Sequence, residues 1–345
     1  MSDPISQTPP GVNVTPEALA TSAAKYRTEL LKQPILALGP ALNYFSLRTG
    51  IRYSETVGEM AGDIEMGPHN PYRVDRSSID VKGRTLYTYF GSVVKEFDPL
   101  SVVKTVYGSS ITKGEGLKSV PIVMLVLSFL AGKLGKGFLK HLFDAKRDKS
   151  GTTTKTLFNG IDTITASEVT KGEISVEKGN LFEFSEAIDS TNAVDLITAF
   201  CRSASEDLLM AEDGDDSKAD GVNLYVPRSI VYAYRDDYKA TTGHSPIYDK
   251  FNQTVVEGFG NIRLVPFLGK ANSDFIQLST KKNMLIGCDQ MGGIENISVE
   301  KYHAFLLQFV ATMFFGMEYE SISPECLLVG KLSKSPLVES DAPQE

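Results

Sequence analysis

The sequence has no tryptophan, only four histidines and only three cysteines in 345 residues, and these scarcities remove several chemistries at once. Cys201, Cys288 and Cys326 lie far apart, are odd in number and form no Cys-x-x-Cys pair, which argues against a disulfide framework and a thiolate zinc site. His69, His141, His244 and His303 are too dispersed for two of them to ligate a metal from one helical turn. Neither a Gly-x-Ser-x-Gly elbow nor a His-Glu-x-x-His pair occurs, so the motifs give no catalytic set and no cofactor. The longest apolar run, Val120 to Ala131, is 12 residues and holds a proline and a serine. A membrane-spanning helix takes about 20, so no membrane partner is expected. The start, MSDPISQTPPG, has neither the basic nor the apolar segment of a secretory signal, and synthesis in the cytoplasm is expected.

Two segments imitate ligand motifs and fail on inspection. The acidic stretch EDGDDSKADG suggests a calcium loop. Counting from Asp213, however, Lys218 stands where glycine is needed and Leu224 where glutamate is needed. GKLGKG at 132–137 resembles a phosphate loop but falls inside a helical pattern, and no hydroxyl residue follows its Gly-Lys.

What the chain does have is a segregated charge. The net charge is −8, yet residues 1–150 hold 19 basic against 14 acidic side chains, while residues 151–345 hold 16 against 29. Within 101–150 alone there are nine basic and three acidic residues. One basic region on an acidic protein implies two faces in different surroundings.

Residues 1–14 contain three prolines and read as an extended arm, followed by a short amphipathic helix opened by Thr15-Pro16-Glu17 and closed by Pro34. Between 43 and 100, two segments alternate in polarity around a turn-rich middle, GDIEMGPHNPYR, and predict a long two-stranded ribbon. Apolar groups on both faces make such a ribbon marginal alone, and its free edges invite another chain. Residues 117–148 read as a long helix, with Lys133, Lys136, Lys140, Lys146, Arg147 and Lys149 along its flanks and end. Gly132, Gly135 and Gly137 there suggest a bend or a close backbone contact. Further helices are expected over 157–169, from an Asn192 cap to about Ala211, and from Ser229 to Thr242 with Gly243 as its stop. VNLYVP, NIRLVPF, DFIQLST, NMLIGCD and CLLVG read as strands, YHAFLLQFVATMFFGMEY is assigned to strand by its clustered phenylalanines, and 333–345 reads as a disordered tail.

This order of parts resembles the major capsid proteins of tailed double-stranded DNA phages, the Hong Kong 97 fold. The stretches DPLSVVKTVYGSSITKGEGLKS, AKRDKSGTTTKTLFNGIDTI, NLYVPRSIVYAYRDDY and NMLIGCDQMGGIE are similar to that lineage, which spans about 40 to 330. The resemblance implies an α+β fold in which 1–42 is an N-terminal arm and 43–100 an extended loop lying over an adjacent subunit. Residues 101–189 would then be a peripheral domain with spine helix 117–148, residues 190–296 an axial domain, and 297–332 strands returning to the peripheral sheet. Arg52, Tyr53, Met60, Met66, Tyr72, Lys82, Arg84, Tyr87 and Tyr89 would serve the contact between subunits, and the six basic residues of 133–149 would face packaged DNA. The partners implied are the chain itself in pentamers and hexamers, non-specifically bound double-stranded DNA, and portal, scaffolding and decoration proteins, within a virion. An encapsulin-type compartment uses the same fold, and a soluble α/β enzyme is the more distant alternative.

Overall fold

The computed structural model describes residues 39–61, 80–97, 122–210, 221–249, 253–289, 297–301 and 307–333. The expected N-terminal arm and helix, the acidic stretch over 211–220 and the residues from 334 onward lie outside the described residues. The chain divides into two units, one of Met1–Ala37, Gly91–Gly135 and Met291–Met313, the other of Leu38–Phe90, Lys136–Gln290 and Phe314–Glu345.

The second unit is built on a six-stranded sheet formed by β5 (Leu181–Glu183), β6 (Val222–Val226), β7 (Thr254–Val255), β8 (Ile262–Pro266), β9 (Phe275–Ser279) and β13 (Leu327–Lys331), in the order β5-β13-β9-β6-β8-β7. β6 is buried at all five positions, which is why it reads as a continuous apolar run. It pairs in parallel with β8, the connection running through α6 (Arg228–Thr242), which Gly243 ends at φ 75°. Against one face of this sheet pack α6 and α4 (Ala193–Arg202), enclosing Ile197, Phe200, Leu224, Tyr234, Ile262 and Leu278. Tyr225 projects to the other face, where Phe45, Phe143 and Phe267 surround its ring, and its hydroxyl donates to the Tyr44 carbonyl at 2.5 Å.

The same unit holds β1 (Ser46–Thr49), parallel to β10 (Met284–Cys288), which pairs antiparallel with the Phe315–Tyr319 end of β12 (Leu307–Tyr319). α1 (Gly39–Leu42) precedes β1, and α3 (Ile161–Lys171) closes on Gly172 at φ 76°. In the first unit, β11 (Ile297–Lys301) pairs antiparallel with the Leu307–Ala311 end of β12. The strand assignment of the long apolar element therefore holds over Leu307–Tyr319, with 302–306 outside the described residues, as do those of the five shorter apolar runs.

Three expectations change. The long helix, α2, is described over Ile122–Lys140 and stops short of the expected 148, while 117–121 lie outside the described residues. The chain turns at 141–144, so the apolar stripe that continues through Leu142 and Phe143 belongs to a turn packed in the core. Two of the three glycines of α2 make no close contact: a side chain at Gly132 would meet open space, and one at Gly137 would touch Thr154 Oγ1 at an ordinary 3.5 Å, while Gly135 is buried. The helix from Asn192 breaks at Ser203, with α5 (Glu206–Met210) following. Lastly, the ribbon is shorter than 43–100. Among the described residues β2 (Ser54–Ala61) and β3 (Asp80–Tyr87) alone pair as a separate two-stranded sheet, while β1 pairs with β10, and β4 (Tyr89–Phe97) pairs with β12.

Candidate assembly surface and basic cleft

The ribbon pairs eight residues on each side, from Ser54 opposite Tyr87 to Ala61 opposite Asp80, about 27 Å at ~3.4 Å per residue. Among the described residues no third strand covers either edge. At its root one face is dry: Val57 and Leu86 are buried with Ile51 and Leu285. Two glycines admit the chain there. A Cβ on Gly316 would lie 1.9 Å from the Tyr87 carbonyl oxygen, and one on Gly287 would lie 3.0 Å from Leu86 Cδ2 and Thr88 Cγ2.

Polar contacts fix the same root. Arg84 places its guanidinium 2.8 Å from Glu318 and 3.6 Å from Glu168, and Glu168 also meets Lys171 at 2.9 Å. Burial pushes the Glu318 carboxyl above the ordinary glutamate range, while Arg84 pulls it part of the way back. The Thr88 N–H donates to the Tyr53 carbonyl at 2.8 Å, its hydroxyl donates to the Ile51 carbonyl at 3.3 Å, and Arg52 pairs with Asp289 at 3.2 Å. Tyr53 is the only non-glycine at positive φ (74°) among the described residues. Its ring meets Phe314 edge-on at 5.2 Å, and Phe314 meets Phe90 at 5.1 Å. Tyr53, Tyr87 and Phe90 are nevertheless 71%, 53% and 58% exposed, a display of aromatic surface at the base of the ribbon.

The sequence-predicted loop residues thus separate. Arg52, Tyr53, Arg84, Tyr87 and Tyr89 cluster at the root, Met60 and Lys82 lie further along the two strands, and Met66 and Tyr72 fall outside the described residues. Glu318 and Glu168 were missed as partners of Arg84, because nothing local marks residues more than 80 positions away.

The basic residues also separate. Lys133, Lys136 and Lys140 are exposed along α2, with Lys133 over the Phe129 ring at 5.4 Å, and Lys140 alone occupies the basic last turn. Lys146, Arg147 and Lys149 follow the helix and are not part of it. Arg147 is engaged within the chain: it donates to the Leu157 carbonyl at 2.7 Å and lies 3.8 Å over the Tyr89 ring, and its N–H donates to Asn159.

Lys140 and Lys146 meet instead at a cleft of about 800 Å³ walled by the end of α2, the outer face of α3 and the loop over 268–275. Lys155 and Lys171 line it too, and neither was singled out in the sequence. The walls are pinned. Gly269 passes so close to α2 that a Cβ would lie 2.6 Å from the Lys140 carbonyl oxygen. Lys270, wholly buried, donates to Asp162 at 2.9 Å and Gln277 at 2.6 Å, with the Phe143 ring 4.4 Å away. Burial lowers its ammonium pKa, opposed by Asp162.

Burial pushes the Cys201 thiol up to about 12 and the Cys288 thiol to about 11, so neither is a thiolate nucleophile near neutrality.

No sequence-family model and no curated protein matches the chain. Solved structures do. A chain of the satellite phage P4 procapsid, determined with its size determination protein, is 8% identical at a TM-score of 0.53, over 89% of this chain and 98% of that one. A chain of mycobacterium phage Adephagia is 12% identical at 0.47, over 85% and 89%. A chain of the encapsulin complex of Synechococcus elongatus is 9% identical at 0.45, over 84% and 86%. The protein is therefore a mixed α+β chain whose sheets resemble those of phage capsids, a likeness of fold that covers almost the whole sequence.

Proposed function

We propose that this chain is the major capsid protein of a tailed double-stranded DNA phage, assembling through pentamers and hexamers into the icosahedral shell of the virion. The observation that carries the reading is the shared fold with the P4 procapsid chain over 89% of the sequence. The ribbon agrees with it, since an eight-pair strand ladder with an aromatic base, and with no third strand among the described residues on its edges, suits a contact with a second chain. In this reading residues 54–87 lie over a neighbouring subunit, head to tail, so that rings close. Residues 1–42 act as an arm, 190–296 supply most of the axial domain, and α2 is the spine. The exposed lysines of 133–149 face the enclosed DNA, in a protein acidic enough overall to keep that contact weak. Portal, scaffolding and decoration proteins are the further partners such a shell takes, and its role is structural, without a cofactor.

Electron microscopy and gel filtration of the full chain expressed alone test this. Closed shells or ring-shaped capsomers are expected. A monodisperse 37.7 kDa species at high concentration would overturn the reading. Particles from the natural source that enclose a protein cargo in place of DNA would move it to the encapsulin-type compartment.

A further inference from the structure

The cleft between α2, α3 and the loop over 268–275 is lined by four lysines and by two small side chains of α3, Ala166 and Ser167. Its three carboxylates are the obvious objection to an anion there. Asp144 is held by Lys155 at 3.0 Å and His141 at 2.8 Å, and Asp162 by the buried Lys270 at 2.9 Å. Asp274 stands on the loop wall. Lys171 is committed to Glu168. Lys140 and Lys146 are exposed and form no ion pair among the described residues. Two uncommitted ammonium groups therefore overlook a recess whose nearest acids are mostly neutralised. Ammonium groups on flexible stems suit phosphate, which they meet as point charges. The walls are fixed by the Lys270 network and the Gly269 contact, so the recess exists before any ligand arrives.

We propose that this cleft is a binding site for the phosphodiester backbone of double-stranded DNA, with Lys140 and Lys146 as the contacting groups. The proposal rests on the capsid reading for the source of the DNA and refines it. Of the six basic residues between 133 and 149, Arg147 is consumed by Leu157, Asn159 and Tyr89, and two of the other five converge on one recess.

The test measures binding of the full chain to a short labelled duplex across a salt series. The unmodified protein is compared with the Lys140→Gln/Lys146→Gln pair, a Lys133→Gln/Lys136→Gln pair, and Ser167→Asp. Each phosphate contact by a lysine adds about 1 to the slope of log affinity against log salt. The cleft pair should therefore lower the slope by roughly 2 and weaken binding several-fold, with a smaller change from Lys133 and Lys136. Ser167→Asp adds a carboxylate to the lining and should weaken binding while leaving both lysines in place. An unchanged slope in the cleft pair together with unaltered binding by Ser167→Asp overturns the site. So does inorganic phosphate displacing the duplex at equal phosphate concentration, which would mark a small-anion pocket. Microscopy of the same preparations reads shell formation separately: loss of the slope in a protein that forms no shells would support the cleft and sink the capsid reading.

Discussion

Arg84 shows how much one residue can hold. Its side chain is 17% exposed, it faces two carboxylates, and its Nε is buried without a hydrogen-bond partner among the described residues. Replacing it with Ala would leave Glu318 and Glu168 facing each other in a mostly dry site. Removing one partner of a buried ion pair typically costs about 3–5 kcal/mol. Denaturant unfolding of Arg84→Ala should show a loss of that size, and Glu318→Gln added to it should restore part. A loss below about 1 kcal/mol would mean that the pair is solvated, as exposed pairs are. The pH dependence has a definite sign. Glu318 binds its proton more tightly folded than unfolded, so its contribution is greatest below the ordinary glutamate value of 4.5 and declines as pH rises through the raised folded pKa. Glu318→Gln should flatten that part of the stability profile. Tyr53 gives a second test. A left-handed backbone costs an L-residue roughly 1–2 kcal/mol relative to glycine. Tyr53→Gly and Tyr53→Ala lose the same Phe314 contact, so the glycine variant should be the more stable by about 1 kcal/mol. Equal stabilities would show that φ relaxes freely there.

At the scale of elements, the ribbon is defined by where its root is clamped. Gly316 and Gly287 let residues 86–88 lie directly on β12 and β10. At Gly316 the neighbour is a carbonyl oxygen that cannot rotate away, whereas at Gly287 it is the tips of Leu86 and Thr88. Gly316→Ala should therefore destabilise by about 2 kcal/mol or more, and Gly287→Ala by less. The reverse order in thermal unfolding would contradict this packing. The same elements show what the sequence made legible. The apolar run of β6, the period of α6 and its glycine stop were readable because burial on both faces and helical spacing leave local signatures. The end of α2 was not, since Leu142 and Phe143 keep the apolar rhythm while serving a turn in the core. Parallel pairing of β1 with β10 joins residues some 240 positions apart and has no local mark. For the same reason Arg147 reads in sequence as one more surface cation, although its partners lie at 89, 157 and 159.

For the whole molecule, the question is whether the ribbon is complete in one chain. An antiparallel pair satisfies only alternate amides on each strand, and the rest point outward from the two edges. In β2 and β3 no further strand among the described residues takes up those outward groups, whereas the six-stranded sheet keeps its own free edges to strands of three and two residues. Among the described residues nothing but water is left to serve the ribbon's edges, and in the proposed shell a neighbour would replace that water. Hydrogen exchange compared between unassembled protein and shells separates the two conditions. The inward amides should exchange slowly in both. The outward amides of 54–61 and 80–87 should slow by at least tenfold on assembly, the factor that corresponds to about 1.4 kcal/mol of added protection. The six-stranded sheet acts as the internal reference, because β6 and β9 have strand neighbours on both sides and should exchange alike in both states. If the ribbon's outward amides exchange equally fast in shells and in free subunits, its edges face solvent in the assembly, and the contact between subunits must be sought on other surfaces.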